Sequence, residues 1–202
     1  MTNKQLLLIF TRNPELGKVK SRLAKDLGKE KALAIYKELL NHTEKISRDI
    51  NCDKWVLYSE NISNEDIWDN NIFDKQLQTG ADLGERMFNA FESGFNTGYD
   101  EIIIIGSDIY ELEQKDIEEA FEKLKTSEAV IGPSEDGGYY LLGLKNSFPA
   151  VFENKDWGTP SVFKDTENNF KSLKNYTVLK KLNDIDVISD IKRDSYLYKL
   201  TL

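Results

Sequence analysis

Strand-length apolar runs alternate with helical segments along almost the whole chain, and this alternation limits the fold more than any other feature. The runs from Leu6 to Phe10 and from Ile102 to Ile105 are continuously apolar, which is typical of strands buried on both faces. A long helical segment runs from about Val19 to Ile50, with a break expected at Leu27-Gly28. We therefore predict an α/β fold with a mostly parallel central sheet and helices on both faces.

The remaining elements follow from the same two patterns. Asp82 and Glu85 form a capping-box pattern at the start of one helix. Thr159 and Pro160 have the residue types of a helix cap and first turn, and a terminal helix is expected after Asp186. The other predicted strands are Trp55 to Tyr58, Lys75 to Gln78, Ala129 to Ile131, Tyr139 to Leu144 and Val178 to Leu182, and the other predicted helices are Gln114 to Leu124 and Pro160 to Leu173.

Composition excludes several classes of protein. The 202 residues are 40% hydrophobic and 31% charged, which fits one folded domain over residues 1–202. No apolar run reaches the length of a membrane span and the N-terminus lacks a signal-peptide pattern, so we expect a cytoplasmic protein. The net charge of −8 argues against nucleic-acid binding. Because Cys52 and His42 are the only cysteine and histidine, any acid–base or metal chemistry has to use carboxylates, lysines and tyrosines.

A basic segment interrupts this acidic chain where the first strand leads into the first helix. Arg12, Lys18, Lys20 and Arg22 lie here, and Glu15 is the single acid among them. Free N–H groups at a helix N-terminus attract anions, whereas cations at that end oppose the helix dipole and need another reason to be there. The segment therefore favours a bound diphosphate over the alternative, a solvated basic loop.

Carboxylates follow two of the predicted strands. Asp108 comes directly after the apolar strand that ends at Ile105, where an acid is well placed to hold a metal against phosphates. Asp184 and Asp186 follow the last strand, and in an extended chain they point to the same side. Ligands of parallel sheets bind beyond the carboxyl ends of the strands, so these acids are a predicted metal site. The alternatives are that Asp108 caps a turn and that Asp186 caps the last helix.

Two further motifs contain glycines. The segment from Ser134 to Tyr140 reads Ser-Glu-Asp-Gly-Gly-Tyr-Tyr, and its Gly137 and Gly138 allow a ligand to approach the backbone closely. A plain turn is the alternative, since Asp-Gly is a common turn dipeptide. Trp157 begins the motif Trp-Gly-Thr-Pro-Ser and is either a stacking platform for a sugar or base, or a core residue.

Taken together, these motifs resemble the DUF2064 proteins, which are bacterial proteins of glycosyltransferase GT-A type. The Gly-Lys-Val-Lys and Glu-Asp-Gly-Gly-Tyr-Tyr blocks carry the most specific resemblance. One departure is clear, because the family usually has Cys-Pro after Gly-Ser-Asp whereas Ile109-Tyr110 stand here. The resemblance covers nearly the whole chain, in order, through Phe10 to Leu23, Asp82 to Met87, Gly106 to Asp108, Gly132 to Tyr140, Trp157 to Thr159 and Asn183 to Asp186.

This resemblance implies a Rossmann-like GT-A fold of the nucleotide-diphospho-sugar transferase superfamily, similar to the nucleotidyltransferases for molybdenum cofactor and phospholactate. It implies a nucleoside diphosphate-sugar donor, a small-molecule acceptor, and Mg²⁺ or Mn²⁺ held by Asp108 with Asp184 or Asp186. The residues that would then contact the substrates are Arg12, Lys18, Lys20, Arg22, Asp82, Gly84, Arg86, Gly137, Gly138 and Trp157.

The catalytic residues implied are Asp108, through the metal, and Asp136. Asp136 would be the base that activates the acceptor hydroxyl, because Ser-Glu-Asp resembles the base-bearing motif of inverting GT-A enzymes. Two alternatives remain open. The first is a nucleotidyltransferase that couples an NTP to a small phosphorylated or acidic metabolite through the same residues. The second is a non-catalytic protein that binds a nucleotide sugar.

Overall fold

A seven-stranded sheet with the strand order β3-β2-β1-β4-β6-β5-β7 forms the centre of the molecule. The computed structural model describes residues 3–202, so Met1 and Thr2, on which the N-terminal expectation partly rests, lie outside the described residues. Every strand except β6 runs in the same direction, which confirms the predicted mostly parallel sheet. The strands are β1 (Gln5–Thr11), β2 (Asp53–Tyr58), β3 (Asp74–Leu77), β4 (Glu101–Ile105), β5 (Ala129–Pro133), β6 (Tyr139–Leu144) and β7 (Tyr176–Val178).

The helices connect the strands and pack on the sheet. The predicted break in the first long helical segment is confirmed at Gly28, whose φ of 86° is accessible to glycine but strained for other residues. The helices are α1 (Ser21–Leu27), α2 (Lys29–Ser47), α3 (Leu83–Asn96), α4 (Gln114–Leu124), α5 (Val162–Phe170) and α6 (Tyr196–Lys199), with 3-10 turns at Pro149–Val151 and Ile188–Asp190.

Two apolar cores lie on opposite faces of the sheet. Leu7 and Ile9 of β1 pack into the core that α2 and α4 cover, whereas Leu6 and Leu8 pack into the core that α3 and α5 cover. All four side chains are fully buried. Because alternate residues of a strand point to opposite faces, a continuous apolar run is what a strand between two helical layers requires. The predicted helices on both faces are therefore confirmed.

The last third of the chain differs from the prediction in its boundaries. Helix α5 begins at Val162 rather than Pro160, and the hydroxyl of Thr159 donates to the carbonyl of Asp156 instead of capping the helix. Strand β7 ends at Val178, where the prediction had a strand begin. Its ladder with β5 ends at Ile131, and the next residues include Pro133, which has no N–H to continue the pairing.

The segment after β7 also differs from the prediction. The predicted terminal helix is present as α6 but begins only at Tyr196, and a 3-10 turn comes first after Asp186. The carboxylate of Asp190 accepts hydrogen bonds from the backbone N–H groups of Asp186 and Val187. The side chain of Asp186 is therefore not needed as a helix cap and points to other partners. Among residues 3–202, no helix is long and apolar enough to cross a membrane.

Candidate active site

Four aspartates meet at the edge of the sheet where the parallel strands end. Asp108 follows β4, Asp136 lies in the hairpin between β5 and β6, and Asp184 and Asp186 follow β7. The backbone N–H of Ile185 donates to the carbonyl of Asp108 at 3.1 Å. This bond holds the segment that follows β7 against the end of β4. The sheet therefore brings together acids that are far apart in the sequence, as predicted for this edge.

Further backbone contacts fix the hairpin between β5 and β6 relative to the segment that follows β7. Ser134 and Leu182 form an isolated parallel bridge, and the N–H of Glu135 donates to the carbonyl of Leu182 at 3.0 Å. Leu182 lies beyond the end of β7, so this pairing continues the sheet edge without forming a regular strand. The acids on both segments consequently share one rigid frame.

Two basic residues of the N-terminal segment contact these acids directly. The ammonium of Lys20 lies 3.2 Å from Oδ2 of Asp108 and 3.4 Å from Oδ1 of Asp186. The guanidinium of Arg22 lies 2.7 Å from Oδ2 of Asp186. Burial opposes the charged form of Lys20, but the carboxylates of Asp108 and Asp186 outweigh it and raise the pKa of this lysine. Both segments that were predicted to form the site therefore meet at one place.

The electrostatics of the cluster are unfavourable for one of its acids. Burial, followed by repulsion from Asp136 and Asp108, raises the pKa of Asp184 to about 6 from an ordinary value of 3.8. Its own backbone N–H acts in the opposite direction, and Asp186 adds to the repulsion. A carboxyl group crowded by other carboxylates is a common feature of functional sites.

The donor atoms suit a hard divalent cation, but the cluster is not a preformed metal site. Carboxylate oxygens are the ligands that Mg²⁺ and Mn²⁺ prefer. Within residues 3–202, however, no three His, Cys, Asp or Glu side chains are grouped so as to hold a metal ion as they stand. The ammonium of Lys20 instead lies between Asp108 and Asp186.

We expect Asp184→Asn to stabilise the metal-free protein at neutral pH. Because the folded-state pKa of about 6 exceeds the ordinary 3.8, the folded state holds the proton more tightly, so the wild type loses stability as pH rises from about 4 to about 6. The full pKa shift of Asp184 corresponds to about 3 kcal/mol of unfolding free energy. Because the side chain is partly exposed, solvent screening reduces the expected stabilisation of Asp184→Asn to roughly 1–2 kcal/mol.

The measurement is the free energy of urea unfolding in the presence of a chelator. Asp184→Asn and wild type should differ at about pH 7.5, and the difference should shrink as pH falls and vanish below about pH 3.8, where the carboxyl becomes protonated in the unfolded state as well. Asp194→Asn, at an exposed position, is the matched control. A variant that is no more stable than wild type at about pH 7.5 would contradict the crowding of Asp184.

The hairpin holds Asp136 by one of its two carboxylate oxygens. Oδ1 accepts hydrogen bonds from the hydroxyl of Ser134 and from the backbone N–H of Gly138. Oδ2 has no hydrogen-bond partner among residues 3–202 and remains available to a ligand. The buried hydroxyl of Ser134 was not predicted, although Ser-x-Asp in a tight turn is a signal that could have indicated it.

The rest of the basic segment lies away from the acids. Lys18 is exposed and pairs with Glu15 at 2.8 Å and Glu60 at 3.1 Å. Arg12 is also exposed, and its backbone N–H donates to the hydroxyl of Tyr36 at 2.9 Å. Tyr36 lies on the buried face of α2. It is buried there, but its hydroxyl also fixes the start of the basic segment.

A comparison of the sequence with known protein families identifies the family of this chain. The family model described as "uncharacterized protein conserved in bacteria (DUF2064)" matches residues 42–159, which is more than half of the chain. The chain belongs to the DUF2064 family. No curated protein matches it in sequence.

Solved structures support the fold of this DUF2064 protein. A candidate nucleotide-diphospho-sugar transferase from Desulfovibrio desulfuricans G20 is 30% identical, with a TM-score of 0.87 over 98% of this chain and 94% of the other. The 4-diphosphocytidyl-2C-methyl-D-erythritol synthase of Anaerococcus prevotii DSM 20548 is 11% identical, with a TM-score of 0.55 over 98% and 95% of the two chains. The manganese complex of Rv0371c from Mycobacterium tuberculosis H37Rv is 9% identical, with a TM-score of 0.52 over 94% and 96%. The predicted transferase fold is therefore confirmed.

The segment at the start of α3 has mainly structural contacts in this DUF2064 protein. Asp82 caps the helix by accepting from the N–H of Glu85 at 2.9 Å. The Nε of Arg86 donates to the carbonyl of Gly80 at 3.1 Å. Gly84 is buried, and a Cβ there would lie 2.5 Å from Nε1 of Trp157. The contacts of these residues with a nucleotide remain predictions.

Trp157 is half-buried and packs at the edge of the core that α3 covers. Its ring lies edge-on to Tyr139, with 6.4 Å between the centroids. Gly137, with a φ of 90°, lies so close to the same loop that a Cβ there would be 2.3 Å from the carbonyl oxygen of Pro160. The paired-glycine hairpin thus supports the Trp157 loop, and Gly138 supplies the N–H that holds Asp136.

We expect Gly84→Ala to destabilise the protein although alanine favours helices. The gain in helix propensity is about 1 kcal/mol. Against it stand contacts of 2.5 Å with the carbonyl oxygen of Phe152 and with the Trp157 ring, neither of which is the end of a flexible side chain. Overpacking typically costs about 1–3 kcal/mol, so after the gain in helix propensity we expect a net loss of up to about 2 kcal/mol. Thermal unfolding measures it, with the exposed Ser93→Ala on the same helix as control; a more stable Gly84→Ala would contradict this packing.

Proposed function

We propose that this DUF2064 protein is a metal-dependent glycosyltransferase that moves a sugar from a nucleoside diphosphate-sugar to a small-molecule acceptor. The observation that carries the proposal is the meeting of four aspartates with Lys20 and Arg22 at the carboxyl edge of the sheet. The likeness to the candidate nucleotide-diphospho-sugar transferase of D. desulfuricans supports the substrate class.

The basic residues would bind the diphosphate. Lys20 and Arg22 are already at the cluster, whereas Arg12 and Lys18 are exposed on the same segment and would be additional phosphate contacts. Asp108, Asp184 and Asp186 would hold Mg²⁺ or Mn²⁺. When bound, the metal would neutralise charge on the departing nucleoside diphosphate, an effect of several kcal/mol.

Asp136 would activate the acceptor hydroxyl. Its Oδ2 is free while Oδ1 is fixed by Ser134 and Gly138, so the carboxylate is oriented but still able to take a proton. General-base catalysis of this kind typically contributes about 10²–10⁴ to the rate. The role requires an inverting reaction, in which the acceptor attacks the sugar from the side opposite the diphosphate.

A second candidate is nucleotidyl transfer from an NTP to a phosphate or carboxylate acceptor. It is favoured by the fold, which this chain shares with the A. prevotii 4-diphosphocytidyl-2C-methyl-D-erythritol synthase. The exposed Arg12 and Lys18 would supply additional positive charge for a triphosphate. Pyrophosphate release would distinguish this reaction from glycosyl transfer.

Thermal unfolding with a panel of nucleotide sugars and NTPs, each with and without Mn²⁺, tests the proposal. A ligand at a hundred times its Kd stabilises by about 2.7 kcal/mol, which is roughly 5–10 °C for a chain of this size. A Mn²⁺-dependent shift with a nucleoside diphosphate-sugar is the expected result. A shift with NTPs alone would favour nucleotidyl transfer, and tight binding of a sugar nucleotide without turnover of any acceptor would favour a binding protein.

A further inference from the structure

Lys20 occupies the space between two of the acids that would hold the metal. Its side chain is only 7% exposed, and its ammonium contacts Oδ2 of Asp108 and Oδ1 of Asp186. Asp184 adds to the negative charge around the ammonium. A buried ammonium is unfavourable unless it is paired, so these acids are what keeps Lys20 in place.

The backbone of Lys20 is also strained. This residue has φ 45° and ψ 51°, the left-handed conformation, and besides glycine only Asn154 shares a positive φ within residues 3–202. For a residue with a Cβ this conformation costs about 1–2 kcal/mol. The strained backbone aims the side chain inward from the start of α1. Two unfavourable features, strain and burial, are thus offset by the same pair of carboxylates.

A metal ion cannot share this position with the ammonium. A divalent cation that coordinates Asp108 and Asp186 has to lie about 2.1 Å from an oxygen of each. The Lys20 nitrogen is already within 3.2 and 3.4 Å of those groups, so a metal between them would overlap the ammonium and repel it. Within residues 3–202 no three acids are grouped as a metal site while the ammonium is in place.

We propose that Lys20 and a divalent metal are alternative occupants of the space between Asp108 and Asp186, so that metal binding expels the Lys20 ammonium from the cluster. The inference rests on the proposed metal site. The expelled ammonium is then free to contact the diphosphate, which reconciles a phosphate-binding Lys20 with its contacts to the two acids. Arg22 can remain on Asp186, because its guanidinium is exposed and contacts the other oxygen.

Mn²⁺ binding to the nucleotide-free protein tests the inference without any activity measurement. Free Mn²⁺ is counted by its electron paramagnetic resonance signal during titration. Lys20→Met removes the charge and keeps the length of the side chain, and Lys20→Gly removes the charge and the backbone strain together, which protects the fold. Lys25→Met, at an exposed position on α1, makes the same change in net charge and is the control.

We expect both Lys20 variants to bind Mn²⁺ about tenfold more tightly than wild type, and the control to change by no more than about threefold. Unchanged or weaker Mn²⁺ binding in folded Lys20 variants would overturn the inference while leaving the metal site standing. If no variant and no wild-type protein binds Mn²⁺, both the metal site and the inference are overturned. Binding by the Lys20 variants alone would support the inference in its strongest form.

Discussion

Asp108→Asn is expected to remove Mn²⁺-dependent binding of the nucleoside diphosphate-sugar and to lower turnover about 10²–10⁴-fold, since a metal contributes several kcal/mol to stabilising the leaving group. Asparagine keeps the size of the side chain but supplies a neutral oxygen in place of a carboxylate. The fold should survive, because the side chain is 41% exposed and the hydrogen bond from Ile185 uses the backbone carbonyl of Asp108.

The measurement is the thermal shift with Mn²⁺ and the donor, followed by turnover once an acceptor is known. Asp26→Asn is a matched control, because Asp26 is exposed on α1 and has no ion-pair partner in the described part of the chain. Wild-type Mn²⁺ dependence in Asp108→Asn would remove Asp108 from the metal site. A loss of the shift in both variants would indicate a general effect of net charge.

The sequence predicts the edge of the sheet at which the site lies because that prediction needs only the order of the strands. Continuous apolar runs such as Ile102 to Ile105 identify buried parallel strands. Polar residues that follow such runs must then meet at one edge, and Asp108 and Asp184 do so. The single antiparallel strand, β6, does not disturb this, since its hairpin with β5 turns at the same edge.

The sequence does not predict which charges pair within the site. Lys20 and Asp108 are 88 residues apart, and local patterns carry no information on the distance between their side chains. From charge alone, we predicted that Lys20 binds phosphates and that Asp108 binds a metal ion. Each ligand is reasonable for that residue considered separately. Lys20 makes its contact with Asp108 from a left-handed backbone conformation, which lysine rarely adopts and which no residue pattern indicated.

The start of helix α5 depends on tertiary contacts that override the helix-start pattern of the local sequence. Thr159 and Pro160 have the residue types of a helix start, yet the carbonyl of Pro160 lies where a side chain at Gly137 would have to be. Close packing of these two loops delays the helix to Val162. Tertiary contacts of this kind commonly override capping patterns, whose contributions are about 1 kcal/mol each.

Asp136→Asn separates the two proposed reactions. An acceptor hydroxyl keeps its proton at neutral pH and needs a base, whereas a phosphate or carboxylate acceptor is already ionised. If the protein transfers a sugar with inversion, Asp136→Asn should lower turnover about 10²–10⁴-fold while donor binding stays within a few-fold of wild type. Asparagine still offers an oxygen to Ser134 and Gly138, so the hairpin should keep its shape.

Glu135→Gln makes the same change in charge one residue away and provides the control. Glu135 is exposed and pairs with Lys181 at 3.2 Å, outside the acid cluster. Full turnover in Glu135→Gln with a large loss in Asp136→Asn, seen as a fall in kcat with little change in KM for the donor, is the pattern that a general base produces. Near-wild-type turnover in Asp136→Asn would exclude this carboxylate as the base. Combined with pyrophosphate release, it would establish that the acids serve nucleotidyl transfer, for which the metal and the cations of the N-terminal segment suffice.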